Sequence, residues 1–146
     1  MTTIAYRAGI MAADTLQNIN GTRVGHVMKI ARRWDGTLVS GAGHATYLYD
    51  LRQWADLPKK KRKIGPPLPS KDQENSMGVM IEPDGKIYVL QETGICLSGA
   101  EYYAIGSGSE FALGAMAMGA SAEEAVRAAI KHDCYSGGEI NTISHK

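Results

Sequence analysis

Near the start of the chain two short, mostly apolar segments, 3–7 (TIAYR) and 10–13 (IMAA), flank Ala8 and Gly9. Apolar strand-length segments on either side of a two-residue, glycine-containing turn predict a β-hairpin. Residues 15–23 (TLQNINGTR) are polar overall and read as a loop. Residues 24–34 (VGHVMKIARRW) alternate again as one strand that places Val27, Lys29 and Ala31 on a common face. Asp35-Gly36 is a turn signal, and TLVSGAG after it is the partner strand.

From Ala45 the period changes. Apolar residues at 47, 48, 51, 54 and 57 follow helical spacing, and Pro58 stops the helix. Residues 58–76 show no periodicity and are rich in Pro, Lys and polar residues, which predicts a long loop, disordered in part. A second hairpin spans 77–91, turned at Pro83-Asp84-Gly85. A short strand follows at 101–106, then a helix of small apolar residues that begins near 107–110 and ends at Gly119. Ser121-Ala122-Glu123-Glu124 is a capping-box signature. The helix it opens runs to about Asp133, with Glu123 and Arg127 one turn apart. Tyr135-Ser136-Gly137-Gly138 is a turn, and EINTIS (139–144) is a last strand. Hairpin-linked strands with helices grouped in sequence predict a layered α+β fold, here a single domain over 1–146.

Composition narrows the function more by exclusion than by indication. The net charge is +1, so nothing in the overall balance points to nucleic acid or to a charged tail. The one charge cluster, Lys59 to Lys63, reads as a solvated loop, with an anionic partner or a neighbouring subunit as the competing uses. A nucleic-acid surface needs a broader basic face with aromatic residues. No apolar run approaches the length needed to span a bilayer, and no secretory signal is visible, so a cytoplasmic protein without membrane association is expected. Cys96 and Cys134 lie far apart without metal-ligand spacing and read as two reduced, buried thiols. With a single Phe, the core has to come from Ala, Val, Ile, Leu, Met and Tyr.

Among residues that carry chemistry, the usual nucleotide, serine-hydrolase and zinc-protease motifs are missing, and the four histidines show no ligand spacing. No cofactor or metal is expected. What remains is the chain start. Thr2 follows Met1, and threonine is small enough for methionine removal. That would leave an α-amine, with a pKa of about 7.7–8 in peptides, beside a hydroxyl on one residue. Such an amine can take the hydroxyl proton without a histidine. Lys29 in a strand needs a carboxylate partner if buried, and Asp14 at the end of an apolar strand is a candidate. The alternative is that both are exposed strand-end charges.

Four segments resemble one family. TTIAYRAGIMAADT resembles the mature start of proteasome β subunits and of the related bacterial ATP-dependent protease subunit. VMKIARRWDGTLVSGAG resembles their lysine strand and the small-residue segment after it, AIGSGSEFALGAM their G-S-G segment, and AVRAAIKHDCYSGGEIN their D-x-x-S-G-G segment. The resemblance implies a four-layer αββα N-terminal-nucleophile hydrolase sandwich, two antiparallel sheets flanked by helices. It implies Thr2 as nucleophile, with Asp14 and Lys29 as the charge pair beside it. Ser107, Asp133 and Ser136 would surround the threonine amine, and a backbone N–H near Ser40-Gly41 would hold the oxyanion. By the same resemblance the specificity pocket involves residues near 18–20, Met28 and 43–45. The segment 58–76 stands where relatives carry a long second helix.

The implied activity is threonine-type peptide hydrolysis in a homo-oligomer, a ring or a smaller assembly, acting on protein or peptide with a possible ATPase unfoldase partner. Two other readings stay open: an inactive assembly or binding protein of this fold, and a hydrolase of a non-peptide amide. Retention of all six candidate residue types at matching places favours the peptidase.

Overall fold

In the first hairpin successive strand side chains point to opposite faces, and the two faces have different characters. Ile4, Tyr6, Met11 and Ala13 point one way, and Ala5 and Ala12 the other. In the computed structural model, which describes residues 2–146, both sets are buried. Met1, whose removal the sequence leads us to expect, lies outside the described residues.

The chain is mixed α and β, with eleven strands in three antiparallel sheets and three α-helices among the described residues. Strands β1 (Ile4–Arg7) and β2 (Ile10–Ala13) form the predicted hairpin. They are the middle of a four-stranded sheet, flanked by β10 (Tyr102–Ile105) and β11 (Asn141–Ser144). A two-stranded ribbon holds β3 (Leu16–Ile19) and β4 (Thr22–His26). A five-stranded sheet runs in chain order through β5 (Ile30–Arg32), β6 (Leu38–Ala42), β7 (Met77–Ile81), β8 (Ile87–Gln91) and β9 (Gly94–Ser98). The helices are α1 (Ala45–Ala55), α2 (Ser109–Ala117) and α3 (Ala122–His132).

The apolar clusters follow the two faces. Ile4, Tyr6, Met11, Ala13 and Ile105 of the four-stranded sheet pack with Ile30, Leu38, Val79, Ile81 and Ile87 of the five-stranded sheet. On the other face Ala5, Ala12 and Ala104 meet Ala112 and Met116 of α2 and Ala122, Ala125 and Val126 of α3. Alanine at these strand positions lets the helices approach closely. Beyond the five-stranded sheet, Trp54 and Ala55 of α1 pack on Val39, and Tyr47 and Leu51 on Leu90.

Local chemistry accounts for the helix ends. His44 caps α1, its Nδ1 accepting from Thr46 N–H at 3.3 Å. The capping box at Ser121 forms in both directions, and Glu123 reaches Arg127 at 3.5 Å.

Several expectations need correction. Residues 15–23 are not a loop, because they hold β3 and the start of β4, which pair as a ribbon turned at Asn20 and Gly21, both at positive φ. That pair is a type I′ signal whose local geometry outweighs the polar composition around it. The strand expected over 24–34 is two strands with a break at 27–29. Lys29 therefore does not share a face with Val27 and Ala31: Lys29 is buried, while Val27 is exposed. The strand β9, absent from the sequence reading, follows a tight turn at 92–93 and forms the exposed edge of its sheet.

Both cysteines are free but exposed, since Cys96 sits on that edge and Cys134 in the turn after α3. Segment 58–76 is a loop with one short 3₁₀ turn over Lys59–Lys61, and it is tied to α1. Trp54 Nε1 donates to the Ile64 carbonyl, Tyr47 Oη to that of Pro67, and Gln73 Nε2 to Thr46 and Asp50. Among the described residues no helix is long and apolar enough to cross a membrane.

Candidate active site

The β1–β2 register sets Ile4 opposite Ala13, so the residues just outside the hairpin, Thr3 and Asp14, also meet; Asp14 N–H donates to the Thr3 carbonyl at 3.2 Å. This pairing brings the chain start to a carboxylate. Thr2 Oγ1 donates to Asp14 Oδ1 at 2.5 Å, and Thr3 N–H donates to the same oxygen at 3.0 Å. The break between β4 and β5 turns Lys29 inward, where Nζ donates to Asp14 Oδ1 at 2.9 Å. Ser40 on β6 holds that break, its Oγ donating to the Lys29 carbonyl at 2.6 Å. Asp14 Oδ2 accepts from Gly137 N–H at 3.0 Å.

Asp14 is completely buried and Lys29 is 8% exposed. Burial pushes the Lys29 ammonium below the ordinary lysine range, and the Asp14 carboxylate, then Asp133, oppose this without cancelling it. A buried cation with a single carboxylate in contact is held by geometry rather than by solvent.

A second network joins the first from the opposite side. Asp133, at the C-terminal end of α3, accepts at Oδ2 from Ser107 Oγ at 2.7 Å and from Ser136 Oγ at 2.6 Å. Tyr135 N–H donates to its Oδ1. Ser136 Oγ and Thr3 Oγ1 are 2.7 Å apart. Because the Ser136 proton points to Asp133, Thr3 donates here, and the chain of bonds runs Thr3 to Ser136 to Asp133. Ser107 Oγ and Gly108 N–H both lie 3.3 Å from the Thr2 carbonyl oxygen. Gly106, at φ +100°, permits this: a Cβ there would collide with the Thr2 carbonyl oxygen.

Thr2, Asp14, Lys29, Ser107, Asp133 and Ser136 thus lie together, from five separate parts of the chain. Ser136 reaches the hydroxyl of Thr3 and not that of Thr2. Thr3 is the residue the sequence reading missed, although two adjacent threonines at the chain start were its visible signal.

A cavity of about 490 Å³ opens at Thr2. Its walls include Asn18, Met28, Gly43, Ala45, Leu48 and Arg52. Ser40 and Gly41, the expected oxyanion donors, are absent from this lining. They lie inside β6, where Ser40 pairs with Ile30 of β5 and Val79 of β7, and Gly41 pairs with Gly78 of β7. Gly43 is the glycine on the wall, and its N–H has no acceptor among the described residues. No group of three or more His, Cys, Asp or Glu that could hold a metal ion occurs among the described residues.

Two solved structures similar to the chain are of Thiobacillus denitrificans BPH, a bacterial proteasome homologue, each at a TM-score of 0.69. One, in complex with epoxomicin, is 24% identical over 97% of this chain and 96% of its own. The other is 23% identical over 97% and 95%. The chain has a proteasome-like fold. No family model and no curated protein matches it. In that fold the paired networks sit at the N-terminal end of β1, between the four-stranded sheet and the β4–β5 break.

Proposed function

We propose that the chain is an N-terminal-nucleophile hydrolase that cleaves peptide bonds with Thr2, after Met1 removal frees its α-amine. The observation that carries this reading is the buried Thr2–Asp14–Lys29 contact beside an open cavity. In a chain start with no role beyond structure, a hydroxyl, a carboxylate and an ammonium buried together would be an expensive arrangement.

The proposed reaction is acyl transfer. Thr2 Oγ attacks the scissile carbonyl carbon and its proton passes to the α-amine. As the C–N bond breaks, that proton goes to the leaving nitrogen and an ester remains on Thr2. Water then attacks the ester and gives a proton to the amine. The ester C–O bond breaks, Thr2 Oγ recovers the proton, and the carboxylic acid leaves. Asp14 already accepts from Thr3 N–H, Lys29 and Gly137 N–H, so its part is to orient the hydroxyl. The Lys29 ammonium favours charge on Oγ, and the free Gly43 N–H is the proposed oxyanion donor in place of Ser40 or Gly41. Ser107, Asp133 and Ser136 position the chain start through Thr3 and the Thr2 carbonyl.

The apolar clusters support a four-layer αββα arrangement in one domain over 1–146: α1, the five-stranded sheet, the four-stranded sheet, then α2 with α3. By analogy with the proteasome-like fold the working form is a cytoplasmic homo-oligomer acting on protein or peptide, with an ATPase unfoldase as a candidate partner. The test is intact mass after incubation with an epoxyketone, which bonds both the hydroxyl and the amine of an N-terminal threonine. One adduct on a species lacking Met1 is the expected result. A species lacking Met1 that takes no adduct as monomer or as purified oligomer would overturn the reading.

A further inference from the structure

The cavity at Thr2 is unevenly charged. Its lining holds two cations and no carboxylate: Lys29, which is spent on Asp14, and Arg52. Arg52 forms no ion pair among the described residues. One of its N–H groups, on Nη1, donates to the Met28 carbonyl at 3.2 Å, which fixes the guanidinium at the cavity wall and leaves its other donors unused. The position follows from α1, because Leu48 and Arg52 are one turn apart and both reach the cavity. The same lining holds Leu16, Val27, Met28, Ala45 and Leu48, apolar surface that suits a hydrocarbon stem, with Gln17 and Asn18 among its neutral polar side chains. A cleft with apolar walls and one free guanidinium selects a side chain that is aliphatic first and anionic at its tip.

We infer that this cavity takes an acidic side chain of the substrate, with Arg52 as the residue that selects it. The inference rests on the peptidase reading for its meaning in catalysis. Its physical content, carboxylate recognition at Arg52, holds independently of turnover. Arg52 is neither a proton carrier nor a neighbour of Thr2 Oγ, so its removal should change which peptide is preferred rather than the chemistry.

The test uses the full chain and N-terminally labelled peptides that differ at one residue, Glu, Gln, Leu or Arg, each with an amidated C-terminus. A Gln peptide with a free carboxylate is added, and binding is read by fluorescence anisotropy at low salt. The Glu peptide is expected to bind about five- to tenfold more tightly than the Gln peptide, with the gap closing at high salt. In Arg52→Gln the two are expected to bind equally, while Arg52→Lys keeps part of the preference and shows that the helix is intact. Equal binding of Glu and Gln peptides to the wild type overturns the inference. So does a preference for the free C-terminal carboxylate over the Glu side chain, which would make the ligand a chain end. The same sequences extended past the variable residue are assayed for cleavage. Cleavage without preference for Glu refutes the role of Arg52 and leaves the peptidase intact. A Glu preference in binding with no cleavage of any peptide refutes the peptidase and leaves the carboxylate site.

Discussion

Thr2 Oγ1 and Asp14 Oδ1 lie 2.5 Å apart, and the pair is closed to solvent, with Thr2 2% exposed and Asp14 fully buried. The contact joins a residue two positions before β1 to the one just after β2. Its geometry is therefore set by the hairpin register and not by a mobile loop. In the proposed mechanism the Thr2 hydroxyl therefore starts oriented, which would remove part of the entropic cost of attack.

Thr2→Ala deletes the hydroxyl and leaves Asp14 three other donors. Peptide hydrolysis should fall by about a thousandfold or more, to background, with little change in the melting temperature. Turnover near the wild-type rate would remove Thr2 from the mechanism.

Lys29 gives a pH signature. Its folded pKa lies below the unfolded value of 10.5. Between those two values the unfolded chain binds more protons, so this group's contribution to stability rises as pH increases through that window. Below the window both states are protonated and the cost of burying the ammonium is present in full. The stability of the wild type relative to Lys29→Met should accordingly improve as pH rises through that window toward 10.5, as read by urea unfolding at several alkaline pH values. Activity should run the other way, falling on the alkaline side before an ordinary lysine titrates, because the charge beside Thr2 is lost. A wild-type-minus-variant difference that stays flat with pH would contradict the burial account.

Gly106→Ala places a methyl group against the Thr2 carbonyl at φ +100°. Backbone strain and overpacking together should cost about 2–5 kcal/mol. Because the displaced atom belongs to Thr2, activity should fall further than stability alone explains. Denaturant unfolding and hydrolysis measured on the folded fraction separate the two effects.

Asp133→Asn keeps the shape but replaces one acceptor with a donor, facing Ser107, Ser136 and Tyr135 N–H, all of which donate to the carboxylate. One buried donor is left unpaired, at about 1–3 kcal/mol. Hydrolysis should drop with it, through the Ser136–Thr3 contact. Unchanged stability and rate would show that Asp133 only ends a helix.

The hairpin over 3–13, the hairpin over 77–91, the three helices and the last strand were legible in the sequence, because each rests on local signals: alternation, a turn pair, a cap or a proline. Four segments in order sufficed to name six residues that meet in space. What the sequence did not carry was relative position. That Lys29 sits in a break and turns inward depends on β4 and β5 entering different sheets, which is a matter of long-range pairing. That Ser40 and Gly41 lie within the β6 ladder while Gly43, just past its end, has no N–H acceptor among the described residues depends on where that ladder stops. Ser136 meets Thr3 because the turn after α3 packs under the start of β1, and Arg52 reaches the cavity because α1 lies over β5 and β6. Local pattern is written within a few residues of itself. A site assembled from five parts of the chain exists only once burial has chosen which faces meet.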